Sequence, residues 1–219
     1  MPDKACIYFL AGTNGAGKSS VLGEMSIASG AEYFNPDEAT RQILDANPST
    51  SLASANAAAW NQGKRLLERA VAEHLNYMFE TTLGGNTFVG LLRKALTTDI
   101  EVRVSYVGLA SPELHIARVA ARVAKGGHDI PEAKIRERYD RGREHLVALL
   151  PDLTEMRLYD NSAEADPDAD AAPQPKLLLH MTAGRITTMC PPEEVPGWAK
   201  PIAAAALTSD GRGGVKSGP

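Results

Sequence analysis

Cysteine is scarce in this chain: two residues among 219, Cys6 and Cys190, far apart and in neither a metal-ligand pair nor a CxxC motif. That spacing excludes a disulfide scaffold and a cysteine-held metal, and two reduced thiols are the pattern of a cytoplasmic protein. Basic excess is lacking too, since the formal net charge is −4. No global field draws nucleic acid or an anionic membrane, and any nucleic-acid role would have to come from a local patch. No apolar run approaches a membrane span. The first one, "ACIYFLAG", is too short for a signal h-region and gives way to glycines and a lysine rather than to a cleavage site. There is no internal repeat.

What is present is an alternation of short apolar runs with helical patterns, the signature of a mainly parallel sheet covered on both faces. "CIYFL", "AEYF", "NYMFE", "EVRVSYVGL" and "EMRLYDN" read as strands. Between them, "KSSVLGEMSIAS" reads as a helix closed by Gly30. "NPDEATRQIL" is a helix capped by Asn35 with Pro36 at its first position, and an alanine-rich helix runs from about Leu52 to Leu75. "SPELHIARVAARVAKGG" starts on Ser111 and Pro112 and stops at Gly126 and Gly127. "KLLLHMTAGRITTM" reads as a C-terminal β-hairpin turning at Ala183 and Gly184. The expectation is one three-layer αβα domain over 1–206, with a mobile lid at about 122–138 and a disordered tail at 207–219.

"GTNGAGKS" fits G-x-x-x-x-G-K-[ST] and lies between a strand and a helix, the context a phosphate loop requires. The whole stretch Gly12, Thr13, Asn14, Gly15, Ala16, Gly17, Lys18, Ser19 and Ser20 is therefore the expected nucleotide site. The three glycines let the backbone turn several N–H groups toward one point, where the partial positive charge of a helix start adds to them. Lys18 reaches the β- and γ-phosphates, and the Ser19 hydroxyl is placed for Mg²⁺. ATP and Mg²⁺ are the expected cofactors. An N-K-x-D base-reading motif is missing, which argues against a GTPase.

With "YFNPDE", "FETTLGG" and "GGHDIPEAKIRERYDR", the loop "GTNGAGKSS" resembles the zeta-toxin family of P-loop kinases over about Ile7 to Asn161. The resemblance implies a fold with a kinase-type lid and an ATP-dependent transfer to a hydroxyl group. By that likeness Asp37 is the base that accepts the acceptor's proton, with a helix-start role as the alternative. Glu80 is the substrate-binding acid or a Walker-B-like acid near Mg²⁺, and Thr82 either contacts substrate or shapes the turn. Arg122 and Arg138 bracket the glycine hinge and are the lid arginines that stabilise the transferred phosphoryl group. His128 is a lid or turn residue. Asn161 stands where adenine is commonly gripped in such kinases, with a turn residue as the alternative. The family's substrate is UDP-N-acetylglucosamine. A small-molecule substrate is implied, and an antitoxin protein is the partner the family admits. Two other readings stay open: a housekeeping kinase of a nucleoside, an antibiotic or a nucleic-acid end, and a nucleotide-binding regulatory module without transfer chemistry.

Overall fold

The computed structural model describes residues 4–24, 32–127, 129–163 and 174–213. Strand β1 (Cys6–Ala11) is buried from Ile7 onward, as a strand covered on both faces must be. It lies between β3 (Tyr77–Thr81) and β4 (Glu101–Gly108), with β2 (Glu32–Phe34) outside β3 and β5 (Glu155–Asp160) beside β4, all in parallel. The hairpin β6 (Lys176–Thr182) and β7 (Arg185–Met189) adds two antiparallel strands, so the sheet order is β2-β3-β1-β4-β5-β6-β7. Its turn falls at Ala183 and Gly184, both at positive φ, as the sequence suggested.

Side chains of β1 alternate between two cores, with Ile7, Phe9 and Ala11 on one face and Tyr8 and Leu10 on the other. The larger core packs α2 (Leu52–Glu73), α3 (Asn86–Leu96) and α5 (Glu132–Leu149) onto the sheet. Caps set where the helices begin. Asn35 Oδ1 accepts from the N–H groups of Asp37 and Glu38 to start α1 (Pro36–Ala46), and Ser111 Oγ accepts from Leu114 N–H to start α4 (Pro112–Val123). Helix α4 ends in a Schellman arrangement: Gly126, at φ +90°, donates to Val123 O, and Gly127 donates to Arg122 O.

Two expectations change. The expected disorder from 207 does not hold for residues 207–213, which belong to α6 (Lys200–Gly213); 214–219 lie outside the described residues. Ile202, Ala203 and Ala206 are buried in the larger core, and Asp210 Oδ1 accepts the Ile186 N–H of the edge strand β7 at 3.1 Å. A polar, glycine-containing sequence is thus held as helix by tertiary contacts. The helix expected after the phosphate loop is described only as a 3-10 turn over Lys18–Glu24, and its Gly30 cap lies outside the described residues, as do His128 and most of the acidic loop before β6.

Candidate active site

Parallel strands put their carboxyl ends at one edge, and Leu10 of β1 is in register with Glu80 of β3. The phosphate loop leaves that edge with Gly12, Gly15 and Gly17 at φ +143°, +82° and +77°. A Cβ at Gly12 would stand 2.2 Å from the carbonyl oxygen of Val107, and one at Gly17 would stand 2.4 Å from Asn161 Nδ2. Both positions need glycine for conformation and for space. Lys18 Nζ donates to Gly12 O at 3.2 Å, folding back over the loop, and lies 4.0 Å from Glu80 Oε2. Burial pushes its pKa down, with Glu80 and Asp37 opposing that shift. Thr13 and Asn14 are buried, whereas Ser19 and Ser20 are exposed at the loop's end. A cradle that a Cβ would fill, closed by a lysine, fits a polyphosphate such as that of ATP.

Across from the loop, Glu80 Oε1 accepts from the Tyr33 hydroxyl and, at 3.1 Å, from Asn35 Nδ2. The same Asn35 caps α1 with its other side-chain atom, so the helix carrying Asp37 is tied to the strand end carrying Glu80. Burial and the neighbouring carboxylate push the Tyr33 phenol upward, which keeps it a donor. Asp37 is half exposed, and its Oδ2 lies 3.6 Å from Arg122 Nη1.

Asn14, Lys18, Asp37, Glu80, Thr82 and Arg138 line one cleft of about 550 Å³. Phe34, Trp60 and Phe88 line it as well, with Trp60 and Phe88 edge to face at 5.9 Å. Arg138 Nη1 donates to Asn14 Oδ1 at 2.7 Å, and its stem fills the space that a side chain at Gly84 would need. Arg122 is not among the described residues lining that cleft; it meets Asp37 at the rim. Thr82 gives its backbone oxygen a close approach to Gly142 of α5, and Leu83, at φ +55°, receives the His145 Nδ1–H at its carbonyl at 2.7 Å. The loop after β3 is therefore held from α5.

Asn161 is buried, and its Nδ2 donates to Ala16 O at 2.9 Å. In the structure this amide braces the phosphate loop from the end of β5. Sequence reasoning also missed Tyr33, Trp60 and His115. The last is almost fully buried, with Nδ1 bonded to Asn14 O at 2.9 Å. No local motif marks these residues, since their partners lie far away in sequence.

The profile of the zeta toxin family matches residues 2–165. An uncharacterized protein of Haemophilus influenzae is 32% identical over 139 residues, covering 64% of this chain and 94% of its own. Among solved structures, a chain from the PezAT chromosomal toxin–antitoxin system of Streptococcus pneumoniae aligns with a TM-score of 0.52 at 15% identity, over 73% of this chain and 69% of that one. A chain of the AvrRxo1-ORF1:-ORF2 complex aligns at 0.61 and 11% identity, over 95% and 76%. The same complex with ATP aligns at 0.62 and 12%, over 94% of this chain and 64% of that one. At such identities the structural likeness speaks for the fold, and the profile match carries the assignment: the chain belongs to the zeta toxin family of P-loop, ATP-dependent kinases.

Proposed function

We propose that the protein transfers the γ-phosphoryl group of ATP to a hydroxyl of a small polar metabolite, with a UDP-amino sugar as the first candidate acceptor. One observation carries the reading: Lys18, Asp37, Glu80 and Arg138, from four separate segments, converge on a single cleft beside the phosphate loop. Kinase chemistry needs this set, namely a cationic hold on the phosphates, a carboxylate for the acceptor's proton and a guanidinium for the transferring group. A similar fold in the ATP complex of AvrRxo1 supports nucleotide binding at the loop.

In this reading Lys18 and the loop amides hold the β- and γ-phosphates. The acceptor hydroxyl enters from the cleft, anchored by Glu80 and Thr82. Asp37 takes the proton as the hydroxyl oxygen bonds to phosphorus, the bond from the γ-phosphorus to its bridging oxygen breaks, and ADP leaves. Ser19 would hold Mg²⁺, which would neutralise phosphate charge. Arg138 moves from Asn14 to the transferring phosphoryl group, and Arg122 holds the Asp37 carboxylate in place. Asn161 keeps the nucleotide end of the loop in shape. The aromatic pair Trp60 and Phe88 in the cleft lining suits a ring on the acceptor rather than a fully hydrated polyol.

The family admits an antitoxin protein as a partner, and the PezAT structure belongs to a toxin–antitoxin system. No helix among the described residues is long and apolar enough to cross a membrane. The direct test is ADP release from ATP and Mg²⁺ with UDP-N-acetylglucosamine, run beside Lys18→Ala. Release that depends on both the sugar nucleotide and Lys18 is expected. ATP binding without ADP release, whichever acceptor is added, would favour a nucleotide-binding module without transfer chemistry.

A further inference from the structure

His115 takes no part in the transfer described above, yet it touches the phosphate loop. It sits in the first turn of α4, 1% exposed, and its Nδ1 is 2.9 Å from Asn14 O. A carbonyl only accepts, so Nδ1 carries the proton. The ring is closed in from behind by Tyr139 of α5, edge to face at 5.6 Å, whose hydroxyl donates to Ala110 O at 3.2 Å. The imidazole is thus wedged between the loop and the lid helix.

Asn14 is held twice. Its backbone oxygen takes the His115 N–H, and its side-chain oxygen takes Arg138 Nη1 at 2.7 Å. The described peptides are trans, so C=O and N–H point in opposite directions across each one. Fixing the Asn14 carbonyl toward α4 therefore aims the Gly15 N–H away from α4. A side chain at Gly15 would stand 2.7 Å from His115 O, so the contact between loop and helix is close on this side. One imidazole sets both the direction of a loop amide and the seat of the residue on which the lid arginine rests.

We propose that His115 is a positioning residue: by fixing the peptide after Asn14 it makes Asn14 the post on which Arg138 docks, so the lid arginine waits beside the phosphate loop. Its effect on turnover rests on the kinase reading above, whereas the docking itself does not.

The experiment therefore uses two readouts on the full chain. The first is labelling of Arg138 by phenylglyoxal, followed by peptide mass spectrometry and normalised to the other arginines of the digest. His115→Phe keeps the ring and its contact with Tyr139 but removes the donor, and should raise Arg138 labelling several-fold. His115→Asn restores an N–H near the Nδ1 position and should bring labelling back toward wild type. The second readout is turnover. His115→Phe should lower kcat about tenfold with the KM for ATP changed less than about twofold, and should add nothing in an Arg138→Ala background. Should His115→Phe fail to fold, Asn14→Ala, which removes the docking amide and leaves the backbone oxygen that His115 holds, must raise Arg138 labelling by a comparable factor. Unchanged Arg138 labelling in these variants, or kcat losses that multiply in the double variant, would overturn the proposal. A wild-type protein that transfers nothing would defeat the kinase reading alone, and the labelling would still decide this one.

Discussion

Removing the Asn161 amide separates two roles that its position could serve. In Asn161→Ala the carbonyl of Ala16, a residue with no exposed surface, loses the donor it holds at 2.9 Å. A buried acceptor left without a partner costs about 1–3 kcal/mol. In a chain of this size each kcal/mol moves Tm by about 2–4 °C, so a fall of about 4–8 °C is expected for a loss near 2 kcal/mol. Asn161→Asp should be worse, since it sets a second acceptor against the Ala16 oxygen. Thermal denaturation measures this, and ATP and GTP binding to the same variants supplies the control. A bracing role predicts weaker binding of both nucleotides with their ratio unchanged, because both use the same phosphate cradle. A Tm within about 1 °C of wild type, together with loss of preference for ATP, would refute the reasoning and return Asn161 to the adenine.

Asp37→Asn keeps the shape and leaves the Asn35 cap in place, so turnover should fall by about 10²–10⁴ while Tm and ATP affinity hold, measured by steady-state kinetics and calorimetry. Arg138→Ala should lower kcat by about 10³ with a modest change in ATP affinity, because its charge is needed most on the transferring group; a loss confined to KM would contradict that. Burial, with Lys18, Arg118 and Arg143 nearby, pushes the His115 pKa from 6.5 to about 4. The folded state therefore prefers neutral His115. Its contribution is fully present above pH 6.5 and is lost as pH falls toward 4, on the order of 3 kcal/mol in all. Urea midpoints at pH 7 and 4.5 should diverge more for wild type than for His115→Phe, and equal divergence would contradict the assignment.

Local chemistry made the phosphate loop legible. Gly12, Gly15 and Gly17 are required by conformation and by close approach, and such constraints write themselves into a short sequence. Asn35 was readable as a cap for the same reason, with Pro36 beside it. Its second bond, to Glu80 across 45 positions, was not. Nor was the link between His115 and Asn14, 101 positions apart, or that between Asn161 and Ala16, 145 apart. These bonds depend on how β1, β3, β4 and β5 lie side by side, and periodicity says which residues are buried but not which strand is whose neighbour. The α6 error has the same root. "TSDGRG" has the composition of a tail, and what holds it helical is the buried row Ile202, Ala203 and Ala206 before it and the Asp210 bond to β7.

The central claim is that this cleft moves a phosphoryl group from ATP to a small-molecule hydroxyl, and a mass-balance experiment tests it most directly. A polar metabolite extract is incubated with ATP, Mg²⁺ and either wild-type protein, Lys18→Ala or Asp37→Asn, and searched without targets for a compound heavier by one phosphate. The account predicts such a compound, formed in step with ADP by wild type and by neither variant. Wild-type protein that binds ATP yet phosphorylates nothing in the extract, or an Asp37→Asn variant that makes the product at the wild-type rate, would contradict it.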